Sequence, residues 1–137
     1  MPDLMEFEQR LLSELEELTE ENVFALLNTI TSPTGDSQDV AIIQNSLRTL
    51  VIREFVVLGL EAFLPSNPER LSKDSALELL SRLQDWFQFD AHNALWTLGL
   101  GDMKKDRIPI IYLTATGKAK AQEILGQRGY QWWRQQS

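Results

Sequence analysis

The sequence predicts a mainly α-helical domain with a small β-hairpin and an N-terminal helical extension. Three observations predict it. Apolar residues recur at three- and four-residue steps over long stretches, capping residues stand before most of those stretches, and one β-branched and aromatic segment, Ile108 to Leu113, breaks the pattern near the C-terminus. A chain of 137 residues, 43% apolar, fits one core. Residues 1–35 form an acidic arm and 36–137 the main body, with both able to fold as one cooperative unit.

In the arm, Leu4, Phe7, Leu11, Leu15 and Leu18 recur at helical steps with Leu12 beside them, while Glu6, Glu8, Glu14, Glu16 and Glu17 occupy much of the other face. Thr19 or Asn22 is placed to cap a second stretch, Val23 to Ile30, so the arm is one bent helix or two. Thr31 to Asp36 gathers turn formers and closes it.

Asp36 or Ser37 then caps a long central helix, expected from Gln38 to Leu64, with Ile43, Leu47, Leu50, Val51, Phe55 and Leu58 turned inward. Its β-branched run leaves strand as the alternative for Phe55 to Leu58. Asn67 and Pro68 suit the start of a short helix. Ser72 suits the N-cap of the next, whose inward stripe is Ala76, Leu79, Leu80 and Leu83. Asp90 is placed to cap a further short helix, Ala91 to Leu98, ended by Gly99.

A polar tip, Asp102 to Arg107, leads into the best strand, Ile108 to Leu113, with Pro109 where an edge strand tolerates a missing donor. Thr114 caps a final helix that offers Ala119, Ala121, Ile124 and Leu125 for burial and stops at Gly126. The tail carries Tyr130, Trp132 and Trp133.

Composition narrows the function. The absence of cysteine removes disulfides, thiolate nucleophiles and Cys-ligated zinc, and suits a reducing compartment, so a cytoplasmic protein is expected. The acidic start resembles no secretory signal, and the apolar stretch Val40 to Leu64 carries too many charged and amide side chains for a bilayer, so no membrane partner is expected. The formal charge of −7 is uneven. Residues 1–64 hold three Lys/Arg against twelve Asp/Glu, whereas from Leu98 onward seven cations face three acids. Binding to a polyanion is therefore disfavoured for the first half only.

The order from Ser75 onward is helix, turn, short helix, basic hairpin and capped helix, with Leu113-Thr114 followed by Gly117-Lys118. This resembles winged-helix regulators of the PadR or MarR type, over about half the chain. Residues 36–137 would then be a winged-helix-like domain, with 75–83 the supporting helix, 90–98 the recognition helix and 102–107 the wing. The resemblance implies transcriptional regulation by a homodimer that binds DNA.

Under that reading Lys104, Lys105 and Arg107 neutralise phosphates while His92 and Asn93 meet base edges. Segment 90–98 holds no Arg, Lys or Gln, however, and a solvated charged tip is the plainer alternative. Leu4, Phe7, Leu11, Leu15, Leu18, Trp132 and Trp133 are the candidates for oligomerisation or a protein partner, unless they pack on their own core. A protein-interaction module reusing the fold is the second functional reading. His92, the sole histidine, has no evident orienting acid, and no phosphate-cradling glycine motif occurs, so no catalytic residue, metal or cofactor is expected.

Overall fold

The computed structural model describes residues 4–18, 20–30, 33–62, 69–98 and 107–134. Among the described residues, five helices, a four-stranded antiparallel sheet and a separate two-stranded hairpin make a mixed α/β architecture. The elements are α1 (Glu6–Leu18), β1 (Glu20–Asn22), α2 (Val23–Ile30), α3 (Ser37–Ile52), β2 (Val56–Ala62), β3 (Glu69–Arg70), α4 (Lys73–Ser81), β4 (Phe87–Asp90), β5 (Leu95–Leu98), β6 (Arg107–Leu113) and α5 (Ala115–Arg128). Short 3-10 turns cover Leu83–Trp86 and Trp132–Arg134.

The caps follow local chemistry. The Asn22 carboxamide oxygen accepts from the Ala25 N–H at 2.8 Å, which starts α2 as a helix separate from α1. Asp36 accepts from the Gln38 N–H and caps α3, Ser72 accepts from the Ser75 N–H and caps α4, and Thr114 accepts from the Gly117 N–H and caps α5. The arm is therefore two helices, with a three-residue strand between them that its polar sequence does not announce. Helix α5 runs on through Gly126 to Arg128.

The central helix is shorter than expected. It ends at Ile52, Glu54 takes a left-handed conformation with φ of 62°, and the chain leaves as β2. The strand alternative at Phe55 to Leu58 is thus the one realised from Val56 on. Its β-branched residues pack well on a pleated surface, and β6 offers seven residues of antiparallel pairing, from Val56 opposite Leu113 to Ala62 opposite Arg107. The expected cap Asn67 and first helical residue Pro68 lie outside the described residues.

Sheet order is β1-β6-β2-β3, so the strand best marked in the sequence is central rather than an edge. Pro109 is tolerated within it, opposite Leu60. On one face Leu58 and Ile111, paired across the strands, are fully buried in the main core with α1, α2, α3 and α5. On the other face Tyr112 lies opposite Val57, and the Arg70 guanidinium stacks 4.5 Å from its ring centre. Leu11, Leu12 and Leu15 of α1 belong to the same cluster as Leu47, Leu50 and Leu83. Arm and body share one core.

Candidate functional site

The presumed recognition segment is not a helix. Residues 87–90 and 95–98 form the antiparallel strands β4 and β5, with Phe87 opposite Leu98 and Phe89 opposite Trp96. The two-residue period turns Phe87, Phe89 and Trp96 to one side. There Phe87 meets Phe24 of α2 at 4.8 Å between ring centres, and Trp96 meets Phe87 at 5.9 Å and Phe89 at 5.2 Å, all edge to face. The Trp96 backbone N–H donates to the Asn28 carboxamide oxygen at 2.9 Å, and the Asn28 side chain donates back to the Trp96 carbonyl at the same distance. A helix over 90–98 would break this reciprocal pair and scatter the rings around its axis.

Asp90 does cap, but it caps a turn. Its carboxylate accepts from the His92 and Asn93 N–H groups and, at 2.7 Å, from the Asn93 carboxamide. Those bonds, led by the Asn93 side chain, hold the Asp90 carboxyl below its ordinary pKa. Ala94, left-handed at φ of 55°, returns the chain to β5. His92 and Asn93 are exposed in this turn beside the Asp90 carboxylate, an unfavourable neighbour for DNA phosphates.

Of the wing residues, Lys104 and Lys105 lie outside the described residues, and Arg107 is described only through its backbone, opposite Ala62 at the start of β6. The strands on either side of 102–107 do not pair with each other: β5 pairs with β4, and β6 with β1 and β2. The structure therefore brings His92 and Asn93 together in one turn on the Asp90 carboxylate, with Lys104 and Lys105 outside the described residues.

The expected oligomerisation stripe is largely spent inside the chain. Leu4, Leu11, Leu15, Trp132 and Trp133 are buried, Phe7 is half-buried, and Leu18 is exposed. The Trp132 indole N–H donates to the Ser13 hydroxyl at 3.0 Å, and the Trp133 indole N–H donates to the buried Glu14 carboxylate. Arg128 stacks over the Trp132 ring at 3.5 Å and reaches Glu6 at 2.9 Å. In a single chain Leu4, Leu11, Leu15, Trp132 and Trp133 are covered by their own core, with the tail after α5 folded back along α1. Among the exposed large apolar residues are Ile42, Ile52 and Leu95, none of them among the expected oligomerisation residues.

A joint links the start of β2 to the start of α5. The Thr114 N–H donates to the Phe55 carbonyl at 3.0 Å and the Thr114 hydroxyl to the Glu54 carbonyl at 2.7 Å. A side chain at Gly117 would place its Cβ 1.9 Å from the Phe55 carbonyl oxygen, so only glycine allows this approach. The Leu-Thr-x-x-Gly pattern thus has a physical cause here: the first turn of α5 rests directly on backbone. Beside the joint, at the end of α3, β2 and the start of α4, lies a cavity of about 500 Å³. At its mouth Lys73 pairs with Glu54 at 2.9 Å, and that hydrogen bond, then the charge of Lys73, lowers the Glu54 pKa.

No family model, curated protein or solved structure matches this chain. Among the described residues no group of three or more His, Asp or Glu side chains is arranged to hold a metal ion. Nor is any described helix long and apolar enough to cross a membrane.

The cavity and the hairpin are the features that sequence reading missed. Phe87-Gln88-Phe89 and Trp96-Thr97-Leu98 carry a two-residue alternation that signals the hairpin. The cavity leaves no such mark, since it depends on how four elements meet.

Proposed function

We propose that the chain is a non-enzymatic protein-interaction module that self-associates as a homodimer and does not read DNA. The observation that carries this is the hairpin β4–β5 standing where a recognition helix is required. Major-groove readout of this type needs a protruding element bearing donors. The turn 91–94 presents instead a carboxylate that already engages His92 and Asn93. Ile42, Ile52 and Leu95 are individual exposed apolar side chains available to a protein partner. Dimerisation would use these rather than the buried leucines of α1. A cytoplasmic setting is part of the proposal and rests on the cysteine-free composition.

DNA-binding transcriptional regulation is the second reading, favoured by the seven cations against three acids from Leu98 onward. One experiment separates the two. After light scattering has fixed the mass, a labelled random-sequence duplex is titrated with wild type and with Lys104→Glu/Lys105→Glu/Arg107→Glu at two salt concentrations, followed by anisotropy. The expected result is a dimer mass that holds at high salt and no duplex binding. Salt-sensitive binding lost in the triple variant would replace the proposal with the DNA reading.

A further inference from the structure

We propose that the cavity between β2, α4 and the first turn of α5 binds a small zwitterion with an apolar body, of the class of apolar α-amino acids. The volume of about 500 Å³ lies within the range of small-molecule sites. Its walls are apolar: Val51 from α3, Val56 and Leu58 from β2, and Ala76 from α4. These four are nearly fully buried and form its packed floor, while Val57 and Leu71, half-buried, offer the open apolar surface that a ligand can cover. Ala76 sits on α4 one turn before Leu80, at the floor of the cavity, so a larger side chain there pushes into it.

The rim decides the class of ligand. It carries one cation and one anion, Lys73 and Glu54, their charged atoms 2.9 Å apart and their side chains 45% and 72% exposed. A simple carboxylate would meet Lys73 but lie beside Glu54, and a simple amine would suffer the reverse. A molecule with ammonium and carboxylate on neighbouring atoms answers both charges at once. An exposed ion pair of this kind contributes little to stability, so exchanging it for ligand contacts costs little. Glu54 is held in place by its left-handed backbone and by the Thr114 hydroxyl on its carbonyl, which sets one side of the mouth before any ligand arrives. This inference goes beyond the interaction role and does not depend on it.

The test uses three probes with one apolar body: phenylalanine, 3-phenylpropionate and phenethylamine. Each is titrated into the ¹⁵N-labelled full chain, and amide shifts are followed in wild type, Lys73→Met, Glu54→Gln and Ala76→Leu. Phenylalanine is expected to move the amides of Val57, Leu71, Lys73 and Thr116, with the other two probes binding about tenfold more weakly or worse. Either rim variant should weaken phenylalanine, and Ala76→Leu should remove it. Should Ala76→Leu fail to fold, the two exposed rim variants carry the test. No shifts with any probe, or phenylpropionate binding as well as phenylalanine, would overturn the proposal.

Discussion

The indole N–H of Trp96 donates to the Asp39 carboxylate at 2.9 Å, a buried bond that ties the hairpin to the first turn of α3. The same carboxylate accepts from the Thr34 N–H at 2.8 Å and from the Thr34 hydroxyl. Loop, helix and hairpin therefore converge on one side chain. Trp96→Phe keeps most of the ring packing but takes a donor from a buried charge, so it is expected to cost about 1–3 kcal/mol in denaturant unfolding. Loss of the hairpin's near-ultraviolet signal should come with it.

The same site makes stability depend on pH. Burial acts to raise the Asp39 pKa, but the bonds from the Thr34 backbone, the Trp96 indole, the Thr34 hydroxyl and the Gly35 backbone outweigh it, and the folded carboxyl titrates below its ordinary value. A depressed folded pKa stabilises the protein above the unfolded pKa of about 3.9, and that contribution disappears as pH falls through the folded value. Wild type should therefore exceed Asp39→Asn in stability at pH 6, and the gap should close below about pH 4. A gap unchanged down to pH 2 would show that the charge is irrelevant.

These contacts also mark the limit of what the chain discloses locally. The leucine stripe of α1, the caps at Asp36, Ser72 and Thr114, and the strand ending at Leu113 were legible because each depends on neighbours within a few residues. The hairpin was not. Asp90 before Ala91-His92-Asn93 and Gly99 after Leu98 satisfy the end signals of a helix, and the choice went to the strand through Phe24, Asn28 and Asp39, which lie far away in sequence. The same holds for β1, whose Glu20-Glu21-Asn22 acquires strand character only by lying along Ile110 to Tyr112. Of the candidate site, the residues at the turn were legible and their setting was not. The cavity needed α3, β2, α4 and α5 in place before it existed.

Two glycines of α5 should respond in opposite ways to the same substitution. Gly117→Ala drives a methyl into the Phe55 carbonyl oxygen, which is itself fixed by the Thr114 N–H, so neither side can yield cheaply. A loss of about 1–3 kcal/mol or more is expected. Gly126 is helical and exposed, with nothing within 4 Å of an added Cβ. There alanine should gain about 0.5–1 kcal/mol by restricting the unfolded chain. Matched urea curves read both, and equal effects at the two sites would refute the close approach at Phe55.

Ala94 holds a left-handed backbone at φ of 55° in an exposed turn. A Cβ in that region costs roughly 1 kcal/mol, and glycine escapes the cost while giving some of it back as unfolded-state entropy. Ala94→Gly is therefore expected to raise the thermal midpoint slightly, whereas in a helix over 90–98 it would lower it. The sign of the shift distinguishes hairpin from helix in solution.

The tryptophan tail offers the clearest separation of internal packing from association. Trp133 is 2% exposed and donates to Glu14, itself 1% exposed on α1. Trp133→Phe removes one donor from a buried carboxylate and should cost about 1–3 kcal/mol. Replacing the acceptor as well, in Glu14→Leu/Trp133→Phe, should cost less than the sum of the single changes, since the charge is removed along with its donor. Because the contact lies within one chain, the loss should be the same at low and at about fifty-fold higher protein concentration, and light scattering should return an unchanged mass. A loss that shrinks on concentrating the protein would instead place Trp133 between subunits, and the burial along α1 would then have to be built by exchange of the tail between copies.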